Sequence, residues 1–133
     1  MEIYKDLFVQ IESDNASKIL ICNWYKHTEK ATADDFKNWN NTLVQKAFEV
    51  KPNGLLANTT DYYFTITPDL QDWSVKNVFE QFAKAGIKKV AMLVSKEIIS
   101  QLSIEQFADE YKEDKLKTAY FDTKESAIKW LKE

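Results

Sequence analysis

At 133 residues, 44% hydrophobic and 29% charged, the chain has the size and composition of one folded domain, and its 2 Gly and 2 Pro leave little material for a flexible linker. The net charge is −3 and all 18 basic residues are lysine. With a pI near 5.3 and no arginine fork for guanine edges or phosphates, the chain is not expected to bind nucleic acid specifically. A single cysteine, Cys22, excludes an intrachain disulfide framework and fits a reducing, cytoplasmic setting. The amino terminus lacks a basic region followed by a long apolar one, and runs 19–22 and 90–94 are far shorter than the roughly 20 residues of a transmembrane helix.

Leu7, Val9 and Ile11 alternate with Phe8, Gln10 and Glu12, the period of a half-buried strand. A polar turn at Asp14–Ser17 leads to a more apolar strand over 18–25, and so short a connection predicts an antiparallel hairpin. From Thr32 the period becomes helical: Phe36, Trp39, Leu43, Val44, Ala47 and Phe48 share a face, with Thr32 as N-cap and Asp34 and Asp35 in the first turn. Lys51-Pro52-Asn53-Gly54 stops this helix, the Asn-Gly pair suiting left-handed turn geometry, and a short strand follows over 55–60. Thr67 and Pro68 open a second helix with Leu70, Trp73, Val78, Phe79, Phe82 and Ala83 as its apolar stripe, ended by Gly86. A buried strand is expected within 87–95. Helical spacing recurs at Ile104, Phe107, Ala108 and Tyr111, with a capping pair Ser103/Gln106 and a break near Leu102. A strand over 117–121 and a helix opening at Asp122, with Glu125 as capping partner, complete the order β-β-α-β-α-β-α-β-α. This predicts an α/β domain spanning 1–133, with a mixed, mostly parallel sheet packed by helices.

The ending Thr118-Ala119-Tyr120-Phe121-Asp122-Thr123-Lys124-Glu125-Ser126-Ala127-Ile128-Lys129-Trp130-Leu131 resembles the carboxy-terminal signature of the bacterial SpoIIAA-like proteins, relatives of STAS and Sec14-type domains. Strand 88–94 is also similar to the penultimate strand of that family. The resemblance implies a STAS-like mixed sheet with helices chiefly on one side and no cofactor. Sporulation relatives act as anti-sigma-factor antagonists switched by phosphorylation of a serine at a helix start after the third strand. The matching stretch here, 58–68, contains no serine; Thr60 and Thr67 are hydroxyl residues that could stand in its place. The phosphoserine is therefore not carried over.

Catalytic chemistry finds few candidates. His27 lies in a polar run just past the second strand and Cys22 lies inside a strand, so a nucleophile with an adjacent base cannot be assembled. One His and one Cys are too few for a zinc site, the two glycines stand alone, and carboxylate pairs such as Asp34-Asp35, Asp109-Glu110 and Glu113-Asp114 lie among lysines as a solvated face would. The chain is expected to bind rather than catalyse, without cofactor or metal.

Aromatic residues supply the positive signal. Trp39, Phe48, Trp73, Phe79, Phe82, Phe107 and Trp130 have core spacing, but Tyr62-Tyr63-Phe64 falls in a connection at the carboxyl end of a parallel strand, where open α/β sheets bind ligands. Either these rings meet a partner or they fold back over the sheet end. The candidate binding residues are Thr59, Thr60, Asp61, Tyr62, Tyr63, Phe64 and Thr67. The expected role is a regulatory protein-interaction module. The alternative, implied by the Sec14-type comparison, is a carrier with an apolar pocket for a lipid or other small molecule. A homodimer is compatible with so aromatic a domain.

Overall fold

The computed structural model describes residues 1–95 and 116–133, so the helix expected around Ile104–Tyr111, its Ser103/Gln106 cap, the break near Leu102, Phe107 and the pairs Asp109-Glu110 and Glu113-Asp114 lie outside the described residues. The fold is a mixed α/β one. Among the described residues six strands form one sheet in sequential order: β1 (Glu2–Lys5), β2 (Val9–Asp14), β3 (Ile19–Trp24), β4 (Gly54–Asn58), β5 (Lys89–Leu93) and β6 (Lys117–Phe121). The pairs β1–β2 and β2–β3 are antiparallel, and β3–β4, β4–β5 and β5–β6 are parallel.

The expected hairpin is β2–β3, with Val9 opposite Trp24 and Asp14 opposite Ile19. The strand before it, β1, is a correction to the five-strand expectation: four residues at a sheet edge carry too little alternation to register as a strand. The β1–β2 turn also breaks the apolar pattern expected from Leu7. Asp6 holds that turn by accepting the backbone N–H groups of Phe8 (2.8 Å) and Val9 (2.9 Å), so Leu7 is 59% exposed while Phe8 packs inward.

Helix α1 (Ala33–Val50) starts at Thr32, as expected, in a reciprocal cap: Asp35 N–H donates to the Thr32 hydroxyl and Thr32 N–H to the Asp35 carboxylate. Phe36, Trp39, Leu43 and Ala47 bury one stripe, and Phe48, one residue or about 100° further round, is 42% exposed rather than in the core. The left-handed residue ending α1 is Lys51 (φ 54°), not Asn53 or Gly54. Gly54 is instead the first residue of β4, where a Cβ would lie 3.0 Å from Leu131 Cδ2; its requirement is space.

The next helical stretch runs as α2 (Pro68–Ser74), a π turn (Val75–Phe79) and α3 (Glu80–Lys84), with Thr67 as N-cap and Gly86 (φ 101°) just past its end. Helices α1, α2 and α3 cover one sheet face over Val9, Ile11, Leu20, Cys22, Leu55 and Val90. Helix α4 (Lys124–Lys132) covers the other, packing Ala127 and Leu131 against Ile21, Leu56, Ala91 and Leu93. Its N-cap is Thr123, which accepts Ser126 N–H at 3.2 Å, rather than Asp122 with Glu125. The chain leaves β6 at Phe121 and spends both Asp122 and Thr123 on the bend, shifting the helix start by one residue.

At the other end of α4 the Lys89 ammonium donates to the carbonyls of Trp130 (2.9 Å) and Glu133 (3.0 Å) and lies 5.0 Å from the centre of the Trp130 ring. A cation from the sheet thus meets the negative end of the helix dipole and two carbonyls of its last turn, of which that of Trp130 also accepts the Glu133 N–H at 3.3 Å. Lys89→Met should lower unfolding free energy by about 1–2 kcal/mol in urea titrations, and Lys88→Met on the neighbouring exposed position should leave it unchanged.

Candidate functional site

The parallel strands β3, β4 and β5 end side by side at Asn23, Asn58 and Leu93, and the rim segment 59–67 leaves from that edge. Thr59 ties it to β5, donating both its N–H and its hydroxyl to the Leu93 carbonyl at 2.9 Å. Thr60 donates its hydroxyl (2.8 Å) and N–H (3.2 Å) to Asn58 Oδ1. Asn58 in turn donates to Asn23 (2.9 Å), Asn23 to Gln10 (2.8 Å), and Gln10 to Glu12 (2.9 Å) and Glu2 (3.1 Å), a chain of aligned amides crossing four strands.

The middle of the rim is clamped from below by Thr28, fully buried on the short 3-10 turn Lys26–Lys30. Its hydroxyl donates to the Tyr25 carbonyl and accepts Tyr63 N–H, both at 2.9 Å. A turn closed by Tyr62 N–H on the Thr59 carbonyl (3.1 Å) opens the segment, and over 62–64 the rings then point inward, outward and inward.

Of the three aromatics expected in an exposed connection, two face the core. Tyr62 stands edge-on to Trp24 (5.6 Å between centroids) and to Trp39 (6.0 Å). Phe64 stacks on Phe36 (5.2 Å) and meets Trp39 edge-on (5.6 Å). Tyr63 points outward and is 52% exposed, with Thr60, Thr65 and Ile66 also exposed. Asp61 is half-buried, and Thr67 serves α2 by accepting Leu70 N–H at 3.4 Å. The candidate residues are therefore together on one rim but divided in role: Thr59, Tyr62, Phe64 and Thr67 hold it, while Thr60 and Tyr63 face out. Inward–outward–inward placement holds over 62–64 alone, and nothing in three consecutive aromatics marks which of them points out.

The Tyr62 hydroxyl and the Trp24 indole N–H are buried with no hydrogen-bond partner among the described residues. Burial pushes the Tyr62 phenol well above its ordinary range. Cys22 is fully buried in β3, and burial, reinforced by the charge of Asp6, keeps its thiol protonated and inert. His27 is exposed. Among the described residues no three His, Cys, Asp or Glu side chains group as a metal site would require.

A concavity not anticipated from sequence opens between the β1–β2 turn and the first turns of α1. It encloses about 440 Å³ and is bordered by Tyr4, Asp6 and Phe8 on one side and by Asp35, Trp39 and Asn41 on the other. The Tyr4 hydroxyl donates to Asp6 at 2.7 Å, and this bond, with burial, raises its pKa above the ordinary 10.0.

Compared with family models, with curated proteins and with solved structures, the chain finds no match. Among the described residues no helix is long and apolar enough to cross a membrane.

Three outcomes are expected from this geometry. Thr28→Val keeps the shape but strands Tyr63 N–H, so stability should fall by about 1–3 kcal/mol, with faster amide exchange confined to the rim and the turn beneath it. Tyr62→Phe removes a buried hydroxyl that makes no bond among the described residues, so its urea midpoint should equal or exceed that of wild type. Tyr4 and Tyr62 are both raised in the folded state; their stabilisation is complete below pH 10, the unfolded value, and lost as pH rises beyond it. The fall in urea midpoint above that pH should be smaller in Tyr4→Phe/Tyr62→Phe.

Proposed function

We propose that the chain is a non-catalytic protein-interaction module of SpoIIAA-like type, engaging another protein through the outer side of the 59–67 rim. The observation that carries this is the pairing of outward-facing Tyr63 and Ile66 with a backbone already fixed by Thr28, Thr59 and the inward rings. A rim held in place before contact loses little conformational entropy on binding, and tyrosine offers an apolar body with a polar tip. The buried, protonated Cys22 and the exposed His27 support a non-catalytic role.

The carrier reading draws less support. The space between α1, α2 and the sheet is filled by Phe36, Trp39, Leu43, Leu55 and Phe82, all nearly inaccessible. The concavity between the β1–β2 turn and α1 is bordered largely by carboxylates, amides and hydroxyls.

Affinity capture from native extract should separate the two sides of the rim. Tyr63→Ala/Ile66→Ala is expected to lose a partner that wild type and Tyr62→Phe both retain, at an unchanged urea midpoint. Identical partner sets for all three proteins would refute rim recognition. If the partner is a second copy, the same double variant should shift a dimer to monomer in light scattering.

A further inference from the structure

The parallel strands β3 to β6 all begin at the sheet edge opposite the rim, and that edge gathers cations. Backbone bonds run along it from strand to strand. Asn53 N–H donates to the Lys18 carbonyl (2.8 Å), Lys88 N–H to that of Asn53 (2.8 Å) and Lys117 N–H to that of Lys88 (2.9 Å). Lys51 ends α1 two residues before Asn53, Lys84 ends α3 four residues before Lys88, and Lys89 holds the end of α4, with Lys132, at the same edge. Lys18, Lys51, Lys84, Lys88, Lys117 and Lys132 are all exposed, and none pairs with an acid among the described residues. The segments forming the edge, 14–18, 51–53, 84–88, 116–117 and 132–133, contain only Asp14 and Glu133 as acids. Residues 112–115, next in sequence, hold two lysines and two acids and so add no net charge.

Local structure accounts for part of this row only. Lys51, Lys84 and Lys132 complement the negative ends of three helices. Lys18, Lys88 and Lys117 stand at strand starts, where no helix end of their own calls for a cation. Lys18 also has φ 56°, a left-handed position that glycine or asparagine would fill with less strain, so the backbone gives no reason for lysine there. The opposite edge carries the reverse charge: α1, α2 and α4 begin at it with Asp34, Asp35, Asp69 and Glu125 in their first turns. A chain of net charge −3 thus has one strongly cationic end.

We infer that this edge docks on an anionic lipid bilayer, with the strands upright and the rim turned away from the membrane. Strands about 4.8 Å apart, with helices on both faces of the sheet, spread the lysines in two dimensions, which matches a plane of headgroups better than one bound polyanion chain. Lysine without arginine suits mobile headgroups, because an ammonium is a point charge that needs no fixed bidentate partner. Clustered lysines add their attraction to an anionic leaflet, while the first-turn acids are repelled by it and fix the orientation. Tyr63 and Ile66 stay accessible in this pose, yet membrane docking and the proposed protein contact use different residues and stand or fall separately.

Sedimentation with lipid vesicles tests the assignment. Vesicles of equal parts phosphatidylserine and phosphatidylcholine should carry the protein down at low salt, and phosphatidylcholine alone should not. Rising sodium chloride should release it. Lys18→Gln/Lys88→Gln/Lys117→Gln should weaken binding by at least about tenfold at an unchanged urea midpoint. Lys26→Gln/Lys30→Gln/Lys124→Gln removes as much charge from exposed positions at the rim end and should bind as wild type does. Four results would each overturn the inference: no sedimentation with the phosphatidylserine vesicles, equal sedimentation with phosphatidylcholine alone, equal loss in the two triple variants, or tighter binding to duplex DNA than to the anionic vesicles at the same salt.

Discussion

The packing of Trp39 is the contact on which the rest of this structure depends. It projects from α1 three residues after Phe36, so both rings lie on the helix face turned to the sheet. Phe8 meets Trp39 from the sheet side at 5.6 Å, and Tyr62 and Phe64 meet it from the rim at 6.0 and 5.6 Å. Each such ring pair is worth about 0.5–1.5 kcal/mol beyond the area it buries. Three segments distant in sequence are thereby fixed to one side chain: the β1–β2 turn, the first helix and the rim after β4. Hydrogen bonds from Asp6, Thr28 and Thr59 then set the backbone of what the rings have brought close.

The local part of this was legible in the sequence. Thr32 and Thr67 could be assigned as caps because a cap involves only the next three residues, and the β2–β3 hairpin because its turn is too short for anything else. Errors arose where a neighbour distant in sequence decides. Gly54 reads as a turn glycine until Leu131 of the last helix is seen against it. Phe48 reads as core until the sheet proves to lie under Ala47 and Leu43, leaving Phe48 off the stripe. Edge strand β1 carries no alternating signal because a four-residue strand with one paired neighbour has little apolar surface to bury.

That 59–67 connects the carboxyl end of β4 to the next helix is legible in the sequence, but the two sides of the connection are not. A run of three aromatics in a connection admits either exposure or burial, and the structure divides it by the alternation of an extended chain. Inward placement of Tyr62 and Phe64 needs receptive rings, and these come from β3 and α1, which the run itself does not reveal. The cleft was less accessible still. Asp35 looks like any first-turn acid of a helix, and Asp6 like any turn residue; only the sheet brings them to the same concavity.

Rim and cleft consequently share a wall. Trp39 lines the cleft beside Phe8 and carries the inner rings of the rim on its remaining surface. A truncation there would remove one of the largest buried side chains, at a typical cost of about 3–5 kcal/mol, and would disturb both surfaces together. Loss of binding in such a variant would therefore say nothing about which surface meets a ligand. The informative positions are those that the packing does not use: Tyr63 and Ile66 on the outside of the rim. Their side chains can change while Trp39 goes on holding the backbone beneath them, so an effect there belongs to recognition rather than to the fold.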